Sequence, residues 1–93
     1  MNKNKLRLAR NKVVQLDQKI LILIKKRTQI VKYMLGLKKS KKQIVDHKRN
    51  NEILKKIRNK SIKSGIDPKI TIRIWKSIIW SYVDFQRRNF KKK

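Results

Sequence analysis

The sequence predicts an all-α protein built as a three-helix subunit with one long N-terminal helix. Apolar residues recur in steps of three and four over the first third of the chain, at Leu6, Ala9, Val13, Leu16, Ile20, Leu23, Ile30 and Met34, which is the spacing of one helix face. Only Gly36, Gly65 and Pro68 punctuate the 93 residues, so few positions break a helix. No strand-like alternation runs long enough to compete with the helical period, and no internal repeat is present.

Helix one is expected from about Lys5 to about Lys38, a length on the order of 50 Å at 1.5 Å per residue. The segment "LKKSKKQ" reads as a loop. Helix two is expected from about Ile44 to Ser64, with Ile53, Leu54, Ile57 and Ser61 at helical spacing. The clearest boundary is "SGIDP": Gly65 suits the position after a helix C-terminus, Asp67 an N-cap and Pro68 the first helical position. Helix three then runs from Pro68 to about Phe90, with Trp75, Ile78, Ile79, Tyr82 and Phe85 among its burying residues. Residues 91–93, "KKK", read as a solvated basic tail on a single domain spanning 1–93.

A chain this short has a marginal core as a monomer. The stripe of the long helix also extends past what two shorter helices can cover. A homodimer in which two long helices pack together covers it economically; a three-helix monomer with a frayed first helix is the competing arrangement.

Lys and Arg number 29 against 5 Asp and Glu, for a formal net charge of +24. Such a field attracts nucleic acid, acidic membranes or small polyanions. Lysine, isoleucine and asparagine, all with A/T-rich codons, number 21, 14 and 7, so base composition explains many lysines on any fold. The lysines alone decide little. With no cysteine, disulfides and thiolate metal sites are excluded, and a reducing compartment fits. The basic start leads to only five apolar residues, "ILILI", too few for a leader or a membrane span. A cytoplasmic protein with no membrane partner is expected. The solitary His47 has no second histidine or cysteine to share a metal, so it reads as solvated, and no metal or cofactor is expected.

The informative residues are cations and amides on the inward stripes. Arg27 occupies the step between Leu23 and Ile30 where the stripe calls for a leucine, and an unpaired buried charge costs several kcal/mol. Lys38 follows eleven residues later, about 20° from Arg27 around the helix. On helix two, Asp46, Arg49, Asn50, Ile53 and Ile57 fall at spacings of three and four; on helix three, Tyr82 and Gln86 are one turn apart behind Ile78 and Ile79. Each has a structural explanation, since an arginine snorkels and an inward Gln or Tyr can be a satisfied hydrogen bonder. Together, with only Asp46 as an evident anionic partner, they point to a small dianionic substrate.

The pattern "LARNKVVQLDQKILILIKKRTQIV", then "GLKKSKKQIVDHKRNNEIL", then "SGIDPKITIRIWKSIIWSYVDFQ" resembles the all-helical chorismate mutases, a class that includes the related isochorismate pyruvate lyases. The likeness covers about residues 6 to 88. It implies an intertwined homodimer of three-helix subunits with two equivalent sites, each taking one arginine from the other subunit's long helix. Carried over, Arg10 is that cross-subunit arginine and Arg27 grips the substrate carboxylates with it. The two are some 100° apart on the helix, so they need not serve the same site. Lys38 is implied to contact a carboxylate and the ether oxygen, Arg49 to complete the cationic cage, Gln86 to donate to the ether oxygen, and Asp46 to hold the substrate hydroxyl. Asn50 stands where the mutases commonly have glutamate, and Tyr82 where serine is common in mutases but tyrosine occurs in lyases.

The implied reaction is the pericyclic rearrangement of chorismate to prephenate, which needs no nucleophile and no acid–base pair. Holding the reactive conformer and stabilising charge on the ether oxygen suffice. Salicylate formation by an isochorismate pyruvate lyase is the alternative within the class. A basic nucleic-acid binder and a non-catalytic helical dimer are the alternatives outside it. Aromatic residues and arginines are not clustered as a reading surface and the inward cations would be wasted on phosphates, so no specific nucleic acid is expected as partner.

Overall fold

Among the described residues three α-helices account for most of the chain, α1 (Lys3–Leu37), α2 (His47–Lys63) and α3 (Pro68–Asn89), with a 3₁₀ turn (Lys41–Gln43) between α1 and α2. The structure is a computed structural model that describes residues 2–91. Lys92 and Lys93 of the expected basic tail therefore lie outside the described residues. Among the described residues no helix is long and apolar enough to cross a membrane.

The chain divides into two compact units, residues 1–33 and 34–93. From Lys3 onward the first is a single helix. Its stripe residues Val13, Leu16, Ile20, Leu23 and Ile30 are 52–62% exposed, although their spacing is that of a burying face. A single helix has nothing within itself to bury them against.

The second unit holds the last turn of α1, the 3₁₀ turn, and α2 packed on α3. Its core is Leu35, Ile44 and Val83, with Val45 and Phe90 against them. On α2 the inward residues are Ile53, Leu54, Ile57 and the buried Ser61; on α3 they include Trp75, Ile78, Ile79, Tyr82, Val83 and Gln86. The Ser61 hydroxyl is satisfied twice, donating to the Ile57 carbonyl at 2.6 Å and lying 2.7 Å from Thr71 Oγ1 across the α2–α3 interface.

The "SGIDP" boundary forms as its residue types require. Gly65 has φ 72°, the left-handed region that glycine enters without steric cost. Ile66 N–H donates to the Ser61 carbonyl at 2.8 Å and Gly65 N–H to Ile62 at 3.2 Å, the paired bonds of a Schellman ending. Asp67 caps α3 by accepting from Lys69 N–H at 2.9 Å, and Pro68 opens the helix.

Helix two starts later than its periodicity suggests, at His47 rather than Ile44. Asp46 is its N-cap, with Oδ1 accepting from Arg49 N–H at 3.0 Å. Ile44 and Val45, which continue the apolar pattern, pack in the connection instead. That connection is ordered by Gln43, whose Oε1 accepts from the backbone N–H groups of Lys39 and Ser40.

Candidate active site

The last turn of α1 and the C-terminal half of α3 meet at Leu35 and Val83, which are 8% and 4% exposed. One turn beyond each, on the same faces, stand Lys38 and Gln86. Lys38 Nζ donates to Gln86 Oε1 at 2.6 Å, a short charge-assisted bond. Gln86 is 7% exposed, and its Nε2 donates back along its own helix to the Tyr82 carbonyl at 3.1 Å. Both ends of the amide are thereby fixed, and one Nε2 hydrogen and two Nζ hydrogens stay available for a ligand.

The electrostatics follow from this burial. Loss of hydration pushes the Lys38 ammonium below the usual lysine range, and the Asp46 carboxylate partly offsets that. Burial wins because Asp46 is exposed and already caps α2.

Of the other residues expected at the site, Asn50 is half-buried on α2. Its Nδ2 is buried without a hydrogen-bond partner, a donor that costs about 1–3 kcal/mol to leave unmet. Tyr82 is half-buried, with its ring edge-on to Phe85 at 6.4 Å. Arg49 is not joined to the Lys38–Gln86 pair: its guanidinium lies 3.9 Å from Glu52, with 58% of the side chain exposed, where an ion pair is worth little. Arg10 and Arg27 belong to the first unit, Arg10 exposed and Arg27 half-buried. The structure thus brings Lys38, Gln86, the Tyr82 backbone and the field of Asp46 together.

The helical period does not mark the apolar floor. It points to Met34, which is 49% exposed, while its neighbour Leu35 is the buried residue. Val83, between the inward Tyr82 and the Gln86 turn, was equally unmarked. The signal was available in the spacing: Leu35 to Lys38 and Val83 to Gln86 are both one helical turn. Among the described residues no group of three His, Asp or Glu side chains gathers as a metal site.

No curated protein and no solved structure gives a significant match to the chain. The family described as chorismate mutase type II does match, over residues 9–87. That span runs from before Arg10 to beyond Gln86 and takes in all of α2 and most of α1 and α3. With the family matched over most of its length, the chain is an enzyme of the isomerase kind and belongs to the chorismate mutase type II family.

Proposed function

We propose that the protein converts chorismate to prephenate in a homodimer, each site being completed by Arg10 of the partner subunit. The observation that carries this reading is the Lys38–Gln86 pair, 2.6 Å apart over the Leu35–Val83 floor. In the rearrangement the bond from the ring carbon to the ether oxygen breaks as the enolpyruvyl methylene bonds to the carbon bearing the ring carboxylate. Nothing is added or lost. Negative charge grows on the ether oxygen, and donors held there in advance by a dry floor bind the transition state better than the ground state. Lys38 and the free N–H of Gln86 are such donors. Arg10 and Arg27 clamp the two carboxylates, joined by Arg49 once it leaves its exposed contact with Glu52, which fixes the reactive conformer. The unmet Asn50 Nδ2 suits a substrate oxygen, and Asp46 is the acceptor for the ring hydroxyl.

The dimer is supported by α1 itself. Covering the exposed halves of Leu16, Ile20 and Leu23 gains roughly 1 kcal/mol for each side chain, and the stripe repeats down the helix. Sedimentation should therefore give twice the 11.3 kDa chain mass.

One observation favours the isochorismate pyruvate lyase as a second reading: Tyr82, half-buried and edge-on to Phe85 one turn before Gln86, stands where serine is common in mutases but tyrosine occurs in lyases. The test of the main reading is prephenate formation by the purified full chain, lost in Lys38→Ala. Undiminished turnover in that variant, or no prephenate from a folded dimer, contradicts it.

A further inference from the structure

Away from Gln86, α3 carries a second ordered face. At 100° per residue, Lys69, Arg73, Lys76, Trp80 and Arg87 fall within about 60° of one another around the helix, and all five are exposed. The stripe runs about 27 Å from Lys69 to Arg87 at 1.5 Å per residue. Trp80, 49% exposed, stands in its middle, with the exposed His47 ring tilted against it at 6.5 Å between centroids. The acid bordering the stripe, Asp84, is taken by Arg88 at 2.8 Å. At the stripe's N-terminal end a cleft of about 530 Å³ is lined by Arg58, Lys69, Ile72 and Arg73, with Pro68 and Asp67, and the Asp67 carboxylate there accepts from Lys69 N–H.

A base-composition bias toward lysine scatters charge over a surface. It does not account for a half-exposed tryptophan set in a line of cations, two of them arginines. Indole has no need of water, and leaving it exposed forgoes burial of a large apolar surface. A flat ring flanked by regularly spaced cations is the arrangement that takes a strand of phosphates with unpaired bases. The cations track the backbone, and the ring stacks a base whatever its identity. Duplex DNA offers no free base face to such a ring.

We infer that the Lys69–Arg73–Lys76–Trp80–Arg87 face of α3 binds single-stranded nucleic acid, with Trp80 as the stacking platform, independently of the reaction at Lys38 and Gln86. The linear sequence hid this face because its residues are three to seven apart and only the helix aligns them.

The experiment titrates the full chain into a labelled oligothymidylate of about twelve nucleotides, long enough for a typical site, and reads anisotropy at several salt concentrations. Trp80→Ala should weaken binding about 5- to 100-fold, the cost of one lost stack, with helix content by circular dichroism unchanged. Trp80→Phe should retain most of the affinity. Exchanging Lys69, Arg73 and Lys76 for glutamine should lower the salt slope by about 2, three phosphates at roughly 0.7 each. The same exchange at Lys55, Lys56 and Lys63 on α2 should lower it less. Equal effects of the two triple exchanges, an unchanged affinity in Trp80→Ala, or equally tight binding of polyglutamate would each overturn the inference, leaving only the general field of a +24 chain.

Discussion

Replacing Gln86 with glutamate exchanges one NH₂ for an oxygen and leaves the side chain's shape almost unchanged, so it isolates the amide's hydrogens. The residue is 7% exposed and cannot swing away. Its Oε1 contact with Lys38 at 2.6 Å survives the exchange. When ionised, the new carboxylate donates nothing: it opposes the Tyr82 carbonyl that Nε2 now serves at 3.1 Å, and it sets negative charge where the ether oxygen must gain it. Losing one preorganised donor costs about 10²–10³ in kcat, and the misplaced charge adds to that loss at neutral pH. Protonation restores a donor. Activity of Gln86→Glu should therefore climb as pH falls through the glutamate pKa, which starts from about 4.3 in water and is pushed up by burial and down by Lys38. The assay is chromatographic measurement of prephenate between mildly acidic and neutral pH, beside the wild type. A variant within a few-fold of wild type at neutral pH, or a folded one with no acid recovery, refutes the donor role of Gln86.

Further outcomes follow from this geometry and from the proposed dimer. In the proposed reaction Lys38 serves as a cation, so kcat/KM should be full below its folded pKa and fall as pH rises through it; because burial lowers that pKa, the alkaline limb should lie below the usual 10.5 of lysine. Asp46→Asn keeps the cap but removes the charge that raises the Lys38 pKa, and so should move this limb to still lower pH, as a pH–rate profile will show. Asp46→Ala loses the bond to Arg49 N–H and should lower unfolding free energy by about 1 kcal/mol in denaturant titrations. Arg10→Ala and Arg27→Ala should each cut turnover by about a hundredfold or more as separate dimers. Mixed subunits should regain one good site per heterodimer, and heterodimers shown to form without that recovery argue against the cross-subunit Arg10.

What was legible in the sequence was punctuation and period. Asp67, Pro68 and Gly65 each took the position their chemistry favours, because capping and positive φ are local demands that few residue types meet. The inward faces of α2 and α3 followed the 3.6-residue period, down to Ser61 and Gln86. Two things were not legible. Ile44 and Val45 extended the apolar pattern of α2 across a turn that Gln43 and Asp46 in fact terminate, because periodicity marks burial and a buried connection carries the same residues as a helix face. The choice between Met34 and Leu35 was also hidden. A single residue turns the helix by 100°, and which of two neighbours meets Val83 depends on tertiary packing rather than on the stripe. Lys38 and Gln86 were singled out by residue type on the correct faces; their direct bond is a product of the fold.

In the proposed reaction fixed donors at Lys38 and Gln86 serve the ether oxygen of chorismate, in a pocket whose Asn50 and Asp46 choose between chorismate and isochorismate. That choice is tested most directly by giving one purified sample chorismate and isochorismate in turn and comparing the two kcat/KM values. Asn50 and Asp46 provide a donor and an acceptor for the ring hydroxyl, so prephenate formation should exceed salicylate formation, and Asn50→Glu should preserve or raise the excess while Asn50→Leu lowers it. A higher kcat/KM for salicylate and pyruvate release would contradict the account and assign the site to the lyase reaction.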